Sequence, residues 1–331
     1  MASNPTRRDF IKTSASLAAI GGLSPLAFAA PVRAAAPKAR IVVVATNDRK
    51  KGVSEVIRLL KVPVPKGKPV IIKPNFNTAH ATPGSTHNDT LHQLITELWN
   101  KDVRAVTVAE SSGPPPTKKV MEDKGIFDLA RDLRASVVNF EENTDADWVP
   151  VGQLATHWPN GVSIPRLIAE SPCTVSTCCL KTHGSGGVIS MSLKLAVGLT
   201  PKPIRREMHM DRADMRRRIA EINLAYKPAF IVMDGVDAFV DGGPSRGKLV
   251  PGNVFIGGTD RVAVDAVGVA ILKELGSNDA IMSRKIFEQE QIQRAVELGL
   301  GITAPDQIEF VTGDAASRAY ADKIKARLAL G

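Results

Sequence analysis

Short aliphatic runs alternate with helical patterns along most of the chain, and this alternation predicts an α/β protein. The runs Arg40–Ala45, Pro69–Lys73, Val103–Ala109, Ser136–Phe140, Thr174–Leu180, Ala229–Met233, Asn253–Gly257 and Gln307–Val311 read as strands. Between them the spacing predicts helices over Val53–Leu60, Thr90–Trp99, Thr117–Leu133, Val188–Val197, Ala213–Leu224, Arg261–Leu275 and Arg284–Leu298. Leu91, Leu94, Ile95 and Leu98 recur at i, i+3, i+4 and i+7, as a core-facing helix requires. The expected architecture is three-layered, a mostly parallel sheet with helices on both faces. Thr200–Pro203 and Asp241–Gly252 read as breaks. No linker is long enough to divide the chain, so residues 37–331 are expected to form a single α/β domain.

The first 36 residues do not fit this pattern. Thr6-Arg7-Arg8-Asp9-Phe10-Ile11-Lys12 precedes a mild apolar run, Ser14 to Ala30, and then small residues suited to cleavage. Basic, apolar and small-residue zones in that order resemble a twin-arginine signal peptide, which implies the twin-arginine export machinery as a partner and a periplasmic or otherwise exported location. No later segment approaches the roughly 18 uncharged apolar residues of a membrane span, so no stable span is expected after processing. Removing Arg7, Arg8, Lys12 and Arg33 leaves 39 basic residues, and removing Asp9 leaves 33 acidic ones, which lowers the net charge from +9 to +6. In an exported protein that balance points to acidic ligands or an anionic surface rather than nucleic acid.

The chain has three cysteines, and an iron–sulfur cluster usually needs four thiolates. Cys173, Cys178 and Cys179 fall in one strand-like run. Cys173 and Cys179 then share a face roughly 20 Å apart, at ~3.3 Å per residue. They read as small buried hydrophobes, and no cluster is expected within this chain.

In open α/β sheets ligands bind beyond the carboxyl ends of the strands. There the sequence offers Lys73 and Asn75, Glu110 and Ser111, Lys181 and His183, and Asp234. The period of two puts Lys181 and His183 on one face, and Lys73 with Asn75 on another strand's face. Gly184-Ser185-Gly186-Gly187 leads into the predicted helix at 188, where free N–H groups would suit a carboxylate or phosphate. His80, His87 and His92 crowd one loop and read either as half a metal site or as a capped helix with surface histidines. The arginines from 205 to 218 read as a solvated helix face or as a positive funnel. Asp260 reads as a helix cap. Asp265, within an apolar helix, needs a partner.

Lys73-Pro74-Asn75, Lys181-Thr182-His183, Ser192-Leu193-Lys194 with Gly198, Asp234-Gly235, Gly243-Pro244 with Gly247, and Asp260 to Asp265 occur in the order seen in domain-of-unknown-function family 362, which the chain resembles from about residue 69 to 300. Leu195 stands where that family usually shows Asn. Some members resemble iron–sulfur proteins through ferredoxin-type cysteines that this chain lacks. More faintly, the glycine loop, Lys194 and His209 are similar to the lysine-and-histidine layout of nickel-dependent lactate racemases.

The expectation is a small anionic ligand or cofactor at the strand ends, with acid–base or redox chemistry on it. Lys73, Lys181 and Lys194 would neutralise it, and Asn75, Ser185, Gly186, Gly187 and His209 would help bind it. His183, with Lys181, would be catalytic because imidazole titrates near neutral pH. Asp234 and Asp241 would hold a divalent metal or orient His183. The alternative is a non-catalytic periplasmic binding or cofactor-handling protein using the same pocket.

Overall fold

The computed structural model describes residues 38–62 and 64–331; the expected signal peptide lies outside them. The chain runs β1 (Ala39–Ala45), α1 (Arg49–Leu60), β2 (Pro69–Lys73), α2 (Asn88–Trp99) and β3 (Ala105–Glu110). Asp48 caps α1 by accepting from the Lys51 amide, and the His87 ring caps α2 by accepting from the Asp89 amide. Next come α3 (Thr117–Asp123), α4 (Ile126–Asp132) and β4 (Ser136–Asn139). The helix expected over 117–133 breaks at Gly125, whose φ of 65° ends the first piece. A two-stranded ribbon, β5 (Trp148–Val151) and β6 (Val162–Pro165), leads to a single turn, α5 (Arg166–Ala169).

The second half holds β7 (Thr174–His183), β8 (Val188–Ile189), α6 (Lys202–Met210), α7 (Met215–Ile222), β9 (Phe230–Gly242) and β10 (Gly247–Gly258). It closes with α8 (Arg261–Glu274), α9 (Asp279–Met282), α10 (Glu290–Glu297), β11 (Ile308–Val311) and α11 (Ala315–Leu330). The strands form a nine-stranded sheet ordered β11-β1-β10-β9-β7-β2-β3-β4, with β8 attached to β7. Only β10 runs antiparallel to its neighbours along that order; the remaining neighbours are parallel. The fold class is therefore α/β with a mostly parallel sheet.

Strand alternation sends side chains to two cores. Val42, Val44, Val70, Ile72, Val175 and Val232 pack with α1 and α2 on one face. Ile41, Val43, Cys178, Leu180 and Ile231 pack with α8 and α11 on the other, where Ile71 meets α7 in an adjoining cluster. Helices thus cover both faces of the sheet. No helix among the described residues is long and apolar enough to cross a membrane.

Two regions depart from the sequence expectation. The segment 241–252 is not a break but the turn and flanks of a long hairpin, β9–β10, with register shifts at Lys248/Leu249 and Pro251/Val254. The helix expected over Val188–Val197 does not form. Residues 188–189 pair back on β7, and a 3-10 segment spans Leu193–Leu199.

Candidate functional site

The carboxyl ends of β2, β3 and β7 open into a cavity of about 1420 Å³. The strand ends supply Lys73, Glu110 and His183, the loop after β2 supplies Asn75 and His80, the 3-10 segment Lys194, and α6 Arg205 and His209.

At the floor, Lys73 Nζ pairs with Glu110 Oε1 at 2.6 Å and donates to the Pro74 carbonyl at 2.8 Å. Burial lowers the Lys73 pKa, against the pull of Glu110. Glu110 also accepts from the Phe76 and Ser111 amides, so both carboxylate oxygens are bound. Gly198 lies against this pair: a Cβ there would sit 2.8 Å from Glu110 Oε1 and 2.9 Å from Lys73 Nζ. Arg205 crosses above, donating through one nitrogen to the Ser111 and Ser112 carbonyls at 2.9 and 2.6 Å and through the other to the Ser111 hydroxyl. It is buried with no carboxylate in contact, and burial lowers its pKa.

Lys194 is the unusual member. Its stem is partly exposed, but Nζ is sealed from solvent and has no hydrogen-bond partner among the described residues. Burial, followed by the charge of Lys181, brings its pKa down to about 7. Its position is fixed from behind: Asp265, fully buried in α8, accepts from the Ser192 and Leu193 amides at 2.7 and 3.0 Å. Those amides are the partners the sequence demanded for Asp265, whose own pKa burial raises to about 7.

His183 is 5% exposed, and its Nδ1 has no partner. Burial first, then Lys194, His209 and Lys181, push it down to about 2. It stays neutral at ordinary pH, so the group expected to titrate near neutrality is not this imidazole but Lys194. The His209 ring lies 6.3 Å from it, centroid to centroid, tilted by 32°. His209 Nδ1 lies 2.7 Å from the Arg205 carbonyl. A carbonyl can only accept, so Nδ1 carries the proton and Nε2 keeps a lone pair.

The remaining expected residues are distributed less simply. Asn75 lines the cavity, as does Ser185 at its exposed rim. Lys181 does not. Its Nζ donates to the Gly84 carbonyl at 2.7 Å, the Pro244 carbonyl at 3.0 Å and Asn75 Oδ1 at 3.4 Å, behind the cavity wall. Ser176 pairs with Lys73, and Cys178 and Leu180 share its face, so alternation turns Lys181 to the opposite face from Lys73. The two lysines cannot clasp one anion as expected. Lys181 contributes only its charge, which contributes to lowering both His183 and Lys194.

Gly186 and Gly187 also change role, because no helix begins after them. Gly186, at φ 83°, turns the β7–β8 hairpin. Gly187 lets the backbone pass over His183, since a Cβ there would lie 2.7 Å from Nδ1. The Gly186 carbonyl is held by Arg216 at 2.6 Å. Asp234 and Asp241 stand seven residues apart on β9, outside the cavity. Asp234 is fully buried and accepts from Arg49 at 3.0 Å and Thr90 at 2.8 Å. Asp241 accepts from Asn278 at 2.9 Å and the Gly242 amide at 2.8 Å. Among the described residues no three His, Cys, Asp or Glu side chains gather as a metal-binding group. The cysteines are free and buried, and burial pushes the Cys179 thiol up to about 12.

Arg205 and its hold on the Ser111–Ser112 backbone were not apparent in the sequence, where the arginine run gave no sign of which member turned inward. Beyond Lys73–Glu110, the cavity's lining cations far outnumber its carboxylates: Lys119, Lys194, Lys202, Arg205, Arg206 and Arg212 line it, against Asp123. Lys202 pairs with Glu141 and Lys119 with Asp123, while Arg206 and Arg212 have no ion-pair partner among the described residues.

In open α/β sheets ligands bind beyond the carboxyl ends of the parallel strands, which is where this cavity lies. The chain belongs to the family described as a domain of unknown function, DUF362, which matches residues 70–270. No curated protein matches it. Among solved structures it is similar to the lactate racemase apoprotein from Thermoanaerobacterium thermosaccharolyticum, at 14% identity over 87% of this chain and 86% of that one, with a TM-score of 0.34.

Proposed function

We propose that this is an exported protein that binds an anionic organic ligand or cofactor in the cavity and performs acid–base chemistry on it. The observation that carries the reading is the buried, partnerless ammonium of Lys194 in a cavity where cations outnumber carboxylates. An unpaired buried charge costs several kcal/mol, and an anionic guest supplies the missing partner. The volume of about 1420 Å³ exceeds the few hundred that a small ligand needs, so the guest has an organic body. Met191, Leu195 and Val197 give that body an apolar wall. Lys194, with a pKa of about 7, gives and takes a proton near neutrality, and His183 orients the guest as a neutral donor or acceptor.

Thermal melts with citrate, phosphate and nucleotide anions test the binding. A ligand at a hundred times its Kd should add about 2.7 kcal/mol of stability. Lys194→Met should remove that gain. A gain retained in full by Lys194→Met would overturn the site. For export, replacing Arg7 and Arg8 by Lys should trap unprocessed precursor in the cytoplasm; unaltered processing would overturn that part.

A further inference from the structure

Lys73, Lys181 and Lys194 each hold a buried amine near these strand ends, but among the described residues only Lys194 is chemically free. Lys73 has a carboxylate at 2.6 Å, which commits its amine to the protonated form. Lys181 donates to three oxygens, so its lone pair is unavailable. Lys194 has no carboxylate and no acceptor, and its stem lines the cavity. An amine kept out of water beside other cations is the arrangement that activates lysine as a nucleophile toward carbonyl carbon. The surroundings also select the electrophile. Arg206 and Arg212 at the exposed rim have no ion-pair partner, so they favour a carbonyl compound that carries its own negative charge.

Resting on the anion-site reading above, we propose that Lys194 forms an imine with an oxo acid, a carboxylate-bearing aldehyde or ketone. The neutral amine adds to the carbonyl carbon, and its two N–H protons pass in turn to the former carbonyl oxygen. The carbon–oxygen bond then breaks, water leaves and the C=N bond forms. Nothing is oxidised or reduced. His183 and His209 line the same cavity as Lys194, and His209 offers its bare Nε2 to relay those protons. A pKa near 7 leaves a large share of Lys194 neutral at pH 7–8, where a surface lysine is almost wholly protonated.

The test is reductive trapping of the full chain with glyoxylate and cyanoborohydride at pH 7.5, followed by peptide mass spectrometry. Glycolate, which lacks the carbonyl, serves in parallel melting experiments. The expected result is an adduct on Lys194 at least about tenfold above that on any surface lysine, from the larger neutral fraction. Added glycolate should suppress it. Adduct spread over surface lysines with Lys194 unmodified, while glycolate still stabilises the protein, would overturn the imine and leave the anion site standing. Absence of both labelling and stabilisation would overturn both. Mapping the wild-type chain needs no variant to fold, and Lys194→Arg should lose the adduct while its surface lysines label as in the wild type.

Discussion

Lys194, Lys181 and Lys73 are all buried amines, and the first two make stability depend on pH in a definite direction. An unfolded chain keeps the Lys194 proton up to about pH 10.5, whereas the folded chain releases it near 7. Between those values the unfolded state binds more protons, so stability rises with pH. Lys181, lowered to about 8, adds to the same trend at the upper end. Cys179, raised from 9 to about 12, opposes it above pH 9, which leaves pH 7 to 9 as the clean window. Urea titrations should show a Lys194 contribution of up to about 1.4 kcal/mol per pH unit there, absent in Lys194→Met. A flat wild-type profile would mean that the Lys194 ammonium is compensated. Gly198 gives a second expectation at this scale. Its missing Cβ admits the Lys73–Glu110 pair, so Gly198→Ala should cost about 1–3 kcal/mol by overpacking, read as a lowered Tm.

Among the elements, Lys181 ties the loop after β2 to the β9–β10 turn through Gly84 and Pro244. Lys181→Met leaves those carbonyls unsatisfied, and at about 1–3 kcal/mol for each buried group should lower the Tm of the ligand-free protein. A pocket lysine with no structural role would leave that Tm unchanged. Asp265 has an equivalent place on the opposite face. Asp265→Asn keeps one acceptor oxygen for two amides, so hydrogen exchange at Ser192 or Leu193 should quicken while α8 itself stays protected. These elements also mark what the sequence could tell. The parallel strands were legible because buried strands are near-continuous aliphatic runs, and Lys73, Asn75, His183 and Lys194 stood out as polar residues around their ends. The helix expected at 188–197 was wrong because its period of 3.6 came from residues packed on both sides of an irregular segment, whose first amides are taken by an aspartate more than seventy residues away. The β9–β10 hairpin was hidden by glycine and proline, which its register shifts absorb. Alternation could place Lys181 and Lys73 on their own strands' faces, but only the pairing of Lys73 with Ser176 shows that those faces are opposite.

For the whole molecule, the excess of positive charge makes binding a matter of ionic strength. The Debye length falls from about 10 Å at 0.1 M to about 3 Å at 1 M, so exposed Arg206 and Arg212 should lose their influence over that range. The association rate of an anionic ligand should fall with salt, while the dissociation rate, set by buried Lys194, should change less. A dissociation rate that rose as steeply would place the recognition at the rim. The sheet order carries a further consequence. β1 lies between β10 and β11, both supplied by the far end of the chain: Ala45 pairs with Val254 and Ala39 with Ile308. A nascent chain leaving the ribosome therefore carries its first strand unpaired on both edges for more than two hundred residues. At roughly 5–20 residues per second that is tens of seconds of exposure, during which a chaperone can cover β1. β1 gains its second neighbour only when β11 arrives, so the sheet closes around a strand made long before its partners.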